Sequence, residues 1–127
     1  MPKSVVYSSK APAPIGPYNQ AIKAGNLLFV SGQIALNGDT GVMVNTNIEA
    51  ETQQVMKNLF FILTEAGADF QKVVKTTIFL KNMDHFAAVN GVYADYFEHN
   101  SPARETVEVS RLPKDANVEI SCIALLD

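Results

Sequence analysis

The sequence predicts an α+β domain: a single mixed β-sheet with two helices packed on one of its faces. Three observations carry this expectation. Residues 27–30, 73–80 and 103–126 contain runs rich in β-branched and apolar residues, which suit strands. Two other stretches, one after Thr46 and one after Asp84, repeat apolar residues at helical spacing. Two helices are too few to cover both faces of so wide a sheet, so they must share one. The chain has 127 residues, which suits one domain, 1–127, with a modest core. No repeat, low-complexity block or linker divides it.

The elements follow in order. Residues 4–7 form a short strand. The Pro-rich "APAPIGPYNQ" that follows suits an extended loop without ladder bonds of its own. "QAIKAGNLLFVSGQI" reads as a hairpin turning at Ala24-Gly25-Asn26. Its second strand, residues 27–30, is apolar without alternation, the pattern of a strand covered on both faces. "GDTGVMVNTN" is a loop. Thr46, with Glu49 three residues on, matches a capping box, so a helix begins near Asn47 or Ile48. Ile48, Val55, Leu59, Ile62 and Leu63 make its apolar stripe, and Gly67 stops it. Residues 73–80 are a strand. Asp84 caps a second helix whose stripe is Phe86, Val89, Tyr93 and Tyr96 or Phe97.

The closing segment, "NSPARETVEVSRLPKDANVEI", reads as two strands joined at Leu112-Pro113-Lys114-Asp115. Alternation puts Arg104, Thr106 and Glu108 on one face of the first strand. In the second, Val118, Ile120, Cys122, Ala124 and Leu126 share a face, and Glu119 shares the other with Ser121, Ile123 and Leu125. A carboxylate on that side must be solvated, paired or useful. If the two strands pair antiparallel, Arg104 and Glu119 lie about equally far from the turn and end up close together. Apolar residues on both faces of these strands also require a cover from outside the chain, most simply another copy of it.

Composition excludes several function classes. Net charge is −3 and the basic residues are scattered, whereas phosphate neutralisation needs clustered Lys and Arg. No nucleic-acid or membrane partner is expected, since no apolar run approaches spanning length. Met1-Pro2-Lys3-Ser4 lacks a secretory signal's apolar stretch, and the one cysteine, Cys122, forms no intrachain disulfide. A reducing, cytoplasmic setting fits. His85 and His99 have no Cys/His metal spacing around them.

Five motifs in sequence, "APAPIGPYNQA", "VSGQI", "NLFFIL-EAGA", "VVKTTIFLKNMDHFAAVN-VY-DYF" and "PARETVEVSRLPKDANVEI", closely resemble the reactive intermediate deaminase (Rid) family, in its imine deaminase subgroup. The resemblance covers nearly the whole chain. It implies a chorismate-mutase-like fold, a homotrimer around a central barrel, and ligand clefts between neighbouring subunits. The activity implied is cofactor-free hydrolysis of 2-iminobutanoate or 2-iminopropanoate, the reactive products of amino-acid dehydratases, to a 2-keto acid and ammonium. No metal is implied.

By that resemblance Arg104 anchors the substrate carboxylate through its fork, where an ordinary strand arginine would pair with an acid such as Glu108. Glu119 holds a water and shuttles its protons, the alternative being an exposed strand glutamate. Tyr18 lines the cleft, though loop tyrosines more often only pack. Ser31 and Gly32 approach the ligand at a strand end. Lys75 lies at the cleft edge, or is simply a solvated lysine, and Asn90 binds substrate or bonds backbone within its helix. Thr106 stands where deaminase members often carry a cysteine. Water attacks an imine directly, so the deaminase reading survives this change, and thiol chemistry at the position does not. The same cleft suits two alternatives, a non-catalytic 2-keto-acid-binding regulator and, less well, a ribonuclease or translation inhibitor.

Overall fold

A computed structural model of the chain describes residues 2–127. Eight elements alternate as expected up to the last pair: β1 (Ser4–Val6), β2 (Ala21–Ala24), β3 (Leu27–Gln33), α1 (Ile48–Glu65), β4 (Val73–Leu80), α2 (Phe86–Ala94), β5 (Ala103–Glu108) and β6 (Val118–Leu125). They form one six-stranded sheet in the order β1-β2-β3-β6-β4-β5. All its pairings are antiparallel except β4 with β5. The sheet is therefore mixed. Among the described residues no helix is long and apolar enough to cross a membrane.

The closing hairpin does not exist. β4 lies between β5 and β6, pairing parallel with the first and antiparallel with the second. The cause is α2, which joins β4 to β5. A helical crossover returns the chain parallel to the strand it left, beside that strand. The residues after β5 then carry the chain to the opposite edge of β4, passing through a short turn at Pro113–Asp115.

Local signals hold with two shifts. Gly25 turns the β2–β3 hairpin at φ +62°, and Gly67 ends α1 at φ +82°, both left-handed positions that favour glycine. The α1 cap is Asn47 rather than Thr46: its side chain accepts from Ala50 N at 2.7 Å. Asp84 does not cap α2. Asn82 caps a 3₁₀ turn, Met83–His85, accepting from Asp84 N, and α2 begins only at Phe86. In both places an asparagine is the cap, because its Oδ1 reaches a free backbone N–H that the expected residue does not.

Both helices lie on one face. Leu28 and Val30 of β3, Ile78 and Leu80 of β4, and Val118, Ile120, Cys122 and Ala124 of β6 are buried there against Val55, Met56, Leu59, Ile62 and Leu63 of α1. Each fully buried Leu or Ile contributes about 1.5–3 kcal/mol. The α1 stripe also carries polar residues. Asn58, fully buried, donates to Ile34 O and Leu36 O at 3.0 and 2.8 Å and accepts from Gln54. It ties the irregular backbone after β3 to the helix.

The other face is open. Phe29, Phe79, Val107, Ile123 and Leu125 stand on it, with Phe29 43% and Val107 41% exposed. Residues 27–30 are thus covered on one side only by their own chain.

Candidate functional site

The register separates Arg104 from Glu119. Arg104 pairs with Thr76 of β4, a buried position on the helix face. Glu119 pairs with Phe79, on the open face. They are two strands apart, about 10 Å, and three residues apart along β4, again about 10 Å. The sheet lies between them. The expected proximity within one chain is wrong, and its cause is the insertion of β4.

Around Glu119 the chain builds a small pocket of about 70 Å³, walled by Pro12, Ile15, Tyr18, Gly32, Ile34 and Pro113 among others. Its volume suits a water or two. Burial against these walls pushes the Glu119 carboxyl above its ordinary value of 4.5. A Cβ on Gly32 would overlap this carboxylate, lying 2.7 Å from its Cδ. Gly32 thus lets the Glu119 carboxylate lie close against the backbone, where a larger residue would make it shift. Tyr18 is half exposed at the rim, with its hydroxyl at the limit of reach, 3.5 Å, from Ile15 N. Ser31 Oγ donates to Asn19 O at 2.6 Å, which fastens the Pro-rich loop to β3. Gln20, not anticipated from sequence, is the loop's main fastening. It is buried, its Oε1 accepts from Ser8 N at 2.7 Å, and its Nε2 donates to Pro12 O at 2.9 Å.

Arg104 sits in a separate cleft lined by Asn90, Tyr93, Phe97, Ser101 and Pro102. Its Nη1 donates to Asn90 Oδ1 at 2.7 Å. Its guanidinium carbon lies 5.0 Å from the Tyr93 ring centre and 5.7 Å from that of Phe86. The Tyr93 hydroxyl shares a 2.7 Å hydrogen bond with Thr76 Oγ1, which fixes the ring, and burial raises its pKa. Asn90 therefore serves the arginine, not the backbone of its helix. Glu108 does not pair with Arg104: its Oε1 accepts from Met83 N at 2.7 Å. Among the described residues Arg104 has no carboxylate partner.

Thr106 lies two residues on along the same face of β5, and its hydroxyl is buried without a hydrogen-bond partner. Lys75 is elsewhere. It stands on the open face and pairs with Glu105 at 3.2 Å, in neither pocket. Tyr18, Gly32 and Glu119 thus line one pocket and Asn90 and Arg104 another, with Ser31 and Thr106 adjoining them along β3 and β5.

A family model described as Endoribonuclease L-PSP matches residues 8–126. The chain belongs to this family. The family includes proteins named as deaminases. One from Arabidopsis thaliana, Reactive Intermediate Deaminase A, chloroplastic, is 52% identical over 98% of the chain and 66% of that protein. The Mus musculus 2-iminobutanoate/2-iminopropanoate deaminase is 42% identical over 97% of the chain and 91% of its own length. Among solved structures, E. coli TdcF with bound serine superposes with a TM-score of 0.91 at 33% identity, over 96% of this chain and 98% of that one. The Rid resemblance and the α+β fold are thereby established.

Proposed function

We propose that the chain hydrolyses small 2-imino acids, 2-iminobutanoate and 2-iminopropanoate, to 2-keto acids and ammonium. The observation that carries this is Arg104: a fork held by Asn90 and two ring faces in an open cleft, with no acid of its own among the described residues. Such a fork is prepared for an incoming carboxylate. The deaminase names of the mouse and Arabidopsis relatives, and the amino acid bound to TdcF, support the same substrate class.

Water adds to the carbon of the protonated imine, one of its protons passing to Glu119, to give a neutral carbinolamine. Glu119 returns that proton to nitrogen, the C–N bond breaks, and the hydroxyl proton passes to the departing ammonia, so that ammonium leaves as the carbonyl forms. The imine is already reactive in water, so the protein supplies position and proton transfer. Arg104 and Glu119 face opposite ways in one chain, so one substrate meets both only if two copies each contribute a half-site. This favours an assembly with shared clefts, for which the Rid resemblance implies a homotrimer with the open sheet faces turned inward as a central barrel. Tyr18, Ser31 and Gly32 then bound the ligand from one copy, and Asn90, Arg104 and Thr106 from its neighbour. Analytical ultracentrifugation at micromolar concentration should give a trimer. A folded monomer would contradict the shared cleft, and a dimer its geometry.

Thr106→Ala should keep clear turnover while weakening 2-ketobutanoate binding by up to about tenfold, the worth of one hydrogen bond. The unpartnered hydroxyl is free to donate to the ligand, but water attacks the imine. Abolished turnover in an intact trimer would give the side chain a chemical role. Ammonium release from freshly generated imine, with and without the protein, tests the reading as a whole. Keto-acid binding without release would make the protein a regulator. The family's endoribonuclease description suits this chain less well, because its net charge is −3 and it lacks a basic-aromatic stripe. Cleavage of RNA by rigorously purified protein would revive it.

A further inference from the structure

Glu51 is 1% exposed, in the first turn of α1, and lies in neither half-site. Both of its carboxylate oxygens are taken by one residue. Oε2 accepts from the backbone N of Asn117 at 2.8 Å, and Oε1 from Asn117 Nδ2 at 2.8 Å. Asn117 O accepts in turn from Lys81 N at 3.0 Å, at the end of β4. Asn117 is thus held at its N–H, its side chain and its carbonyl by two different elements. β6 begins at the next residue, and Glu119 follows two positions after Asn117.

The segment just before Asn117 is constrained as well. Lys114 and Asp115 both have positive φ, 54° and 56°, a region that side chains with a Cβ disfavour. Lys81 Nζ pairs with Asp115 Oδ1 at 2.6 Å across this turn. The turn's first residue, Pro113, is a wall of the Glu119 pocket. α1 and the end of β4 therefore fix the pocket wall and the strand that carries Glu119 together. Gly32 leaves Glu119 a close backbone approach, so small shifts of β6 move its carboxylate within the pocket.

We infer that Glu51 is a positioning residue for the reaction: through Asn117 it sets where β6 starts, and so where the Glu119 carboxylate stands. This rests on the proposed role of Glu119 in proton transfer. A buried carboxylate spent wholly on one asparagine is costly unless both oxygens are used, so the pair is exacting in geometry. Glu51→Gln presents an NH₂ group to one of Asn117's donors and breaks one bond. Exchanging the two chemistries, Glu51→Gln with Asn117→Asp, restores both. The amide oxygen introduced on α1 then accepts from the backbone N–H, and the amide NH₂ beside it donates to the carboxylate introduced before β6.

The test is imine-hydrolysis kinetics, calorimetric binding of 2-ketobutanoate and the pH dependence of kcat in the assembled protein. Glu51→Gln should lower kcat about ten- to a hundredfold, as expected of a misplacement near 1 Å. It should leave 2-ketobutanoate affinity within about twofold, because Arg104 is untouched and an ångström-scale shift of β6 does not reach it. The pH limb assigned to Glu119 should shift as well. The double variant should recover kcat to within about threefold of the parent, since both hydrogen bonds return. A purely structural role predicts a lower Tm with unchanged kcat, and that result overturns the inference. So does a folded double variant that stays slow, or loss of folded protein in both variants. Glu119→Gln, measured alongside, separates the two readings: if it is fully active, the role of Glu119 itself has failed. If it is slow and Glu51→Gln is not, only the positioning role has.

Discussion

Arg104→Ala is expected to lower kcat/KM for 2-iminobutanoate hydrolysis by about 10²- to 10³-fold, the loss of two charge-assisted hydrogen bonds to the substrate carboxylate. Calorimetric affinity for 2-ketobutanoate should fall with it, since the keto acid presents the same carboxylate. The fold should be little affected. Arg104 makes no ion pair among the described residues, and what it leaves behind is Asn90 Oδ1, in a cleft open to water. Arg104→Lys is the more discriminating variant. It keeps the charge but loses the fork, the Asn90 bond geometry and much of the contact with Tyr93 and Phe86. An intermediate loss, about ten- to a hundredfold, would show that orientation matters beyond charge. Near-parental hydrolysis in Arg104→Ala would remove the residue from the site altogether.

The contrast between what the sequence revealed and what it hid follows range. β-Branched and apolar composition locates β4, and period-two alternation puts Glu119, Ser121, Ile123 and Leu125 of β6 on one face, because both are local properties of a strand. Gly25 and Gly67 announced their turns for the same reason. Strand partners are not local. "RLPKDAN" has the composition of a tight turn, and nothing in those residues says that β4 occupies the place beside β6 that β5 would need. The likeness to the Rid family points to Arg104 and Glu119, which line two separate pockets, whereas the inferred hairpin puts them side by side. Gln20, Glu51 and Asn117 went unnoticed because each is polar in a stretch that reads as loop or helix surface. Only their burial and two-point bonding mark them out. Lys75 belongs to a motif that the resemblance places at the cleft edge, and within one chain it pairs with Glu105.

Glu119→Gln is expected to lower kcat by about 10²- to 10⁴-fold, the usual worth of a positioned general base, with a much smaller change in 2-ketobutanoate affinity. The amide keeps the shape of the side chain beside Gly32 but takes no proton. The pH dependence gives an independent check. Burial raises the carboxyl above 4.5, and only the ionised form accepts a proton from water, so kcat should rise with pH through that raised value. In Glu119→Gln this limb should vanish. Stability should move in the opposite sense. A raised pKa means that the folded chain favours the protonated form. The associated stability is fully present below the unfolded value and is lost as pH rises through the folded one. At neutral pH the ionised Glu119 is therefore a cost to the fold, and Glu119→Gln should melt higher than the parent. Below the ordinary value of 4.5 the advantage should disappear, since both side chains are then neutral. A variant that is slower, more stable at neutral pH and free of the acidic limb matches a desolvated base. Normal turnover in Glu119→Gln would pass the proton to Tyr18 or to solvent and leave the anchoring by Arg104 standing. A lower melting temperature at neutral pH would mean that the carboxylate is stabilised by a group the neighbouring copy brings to it.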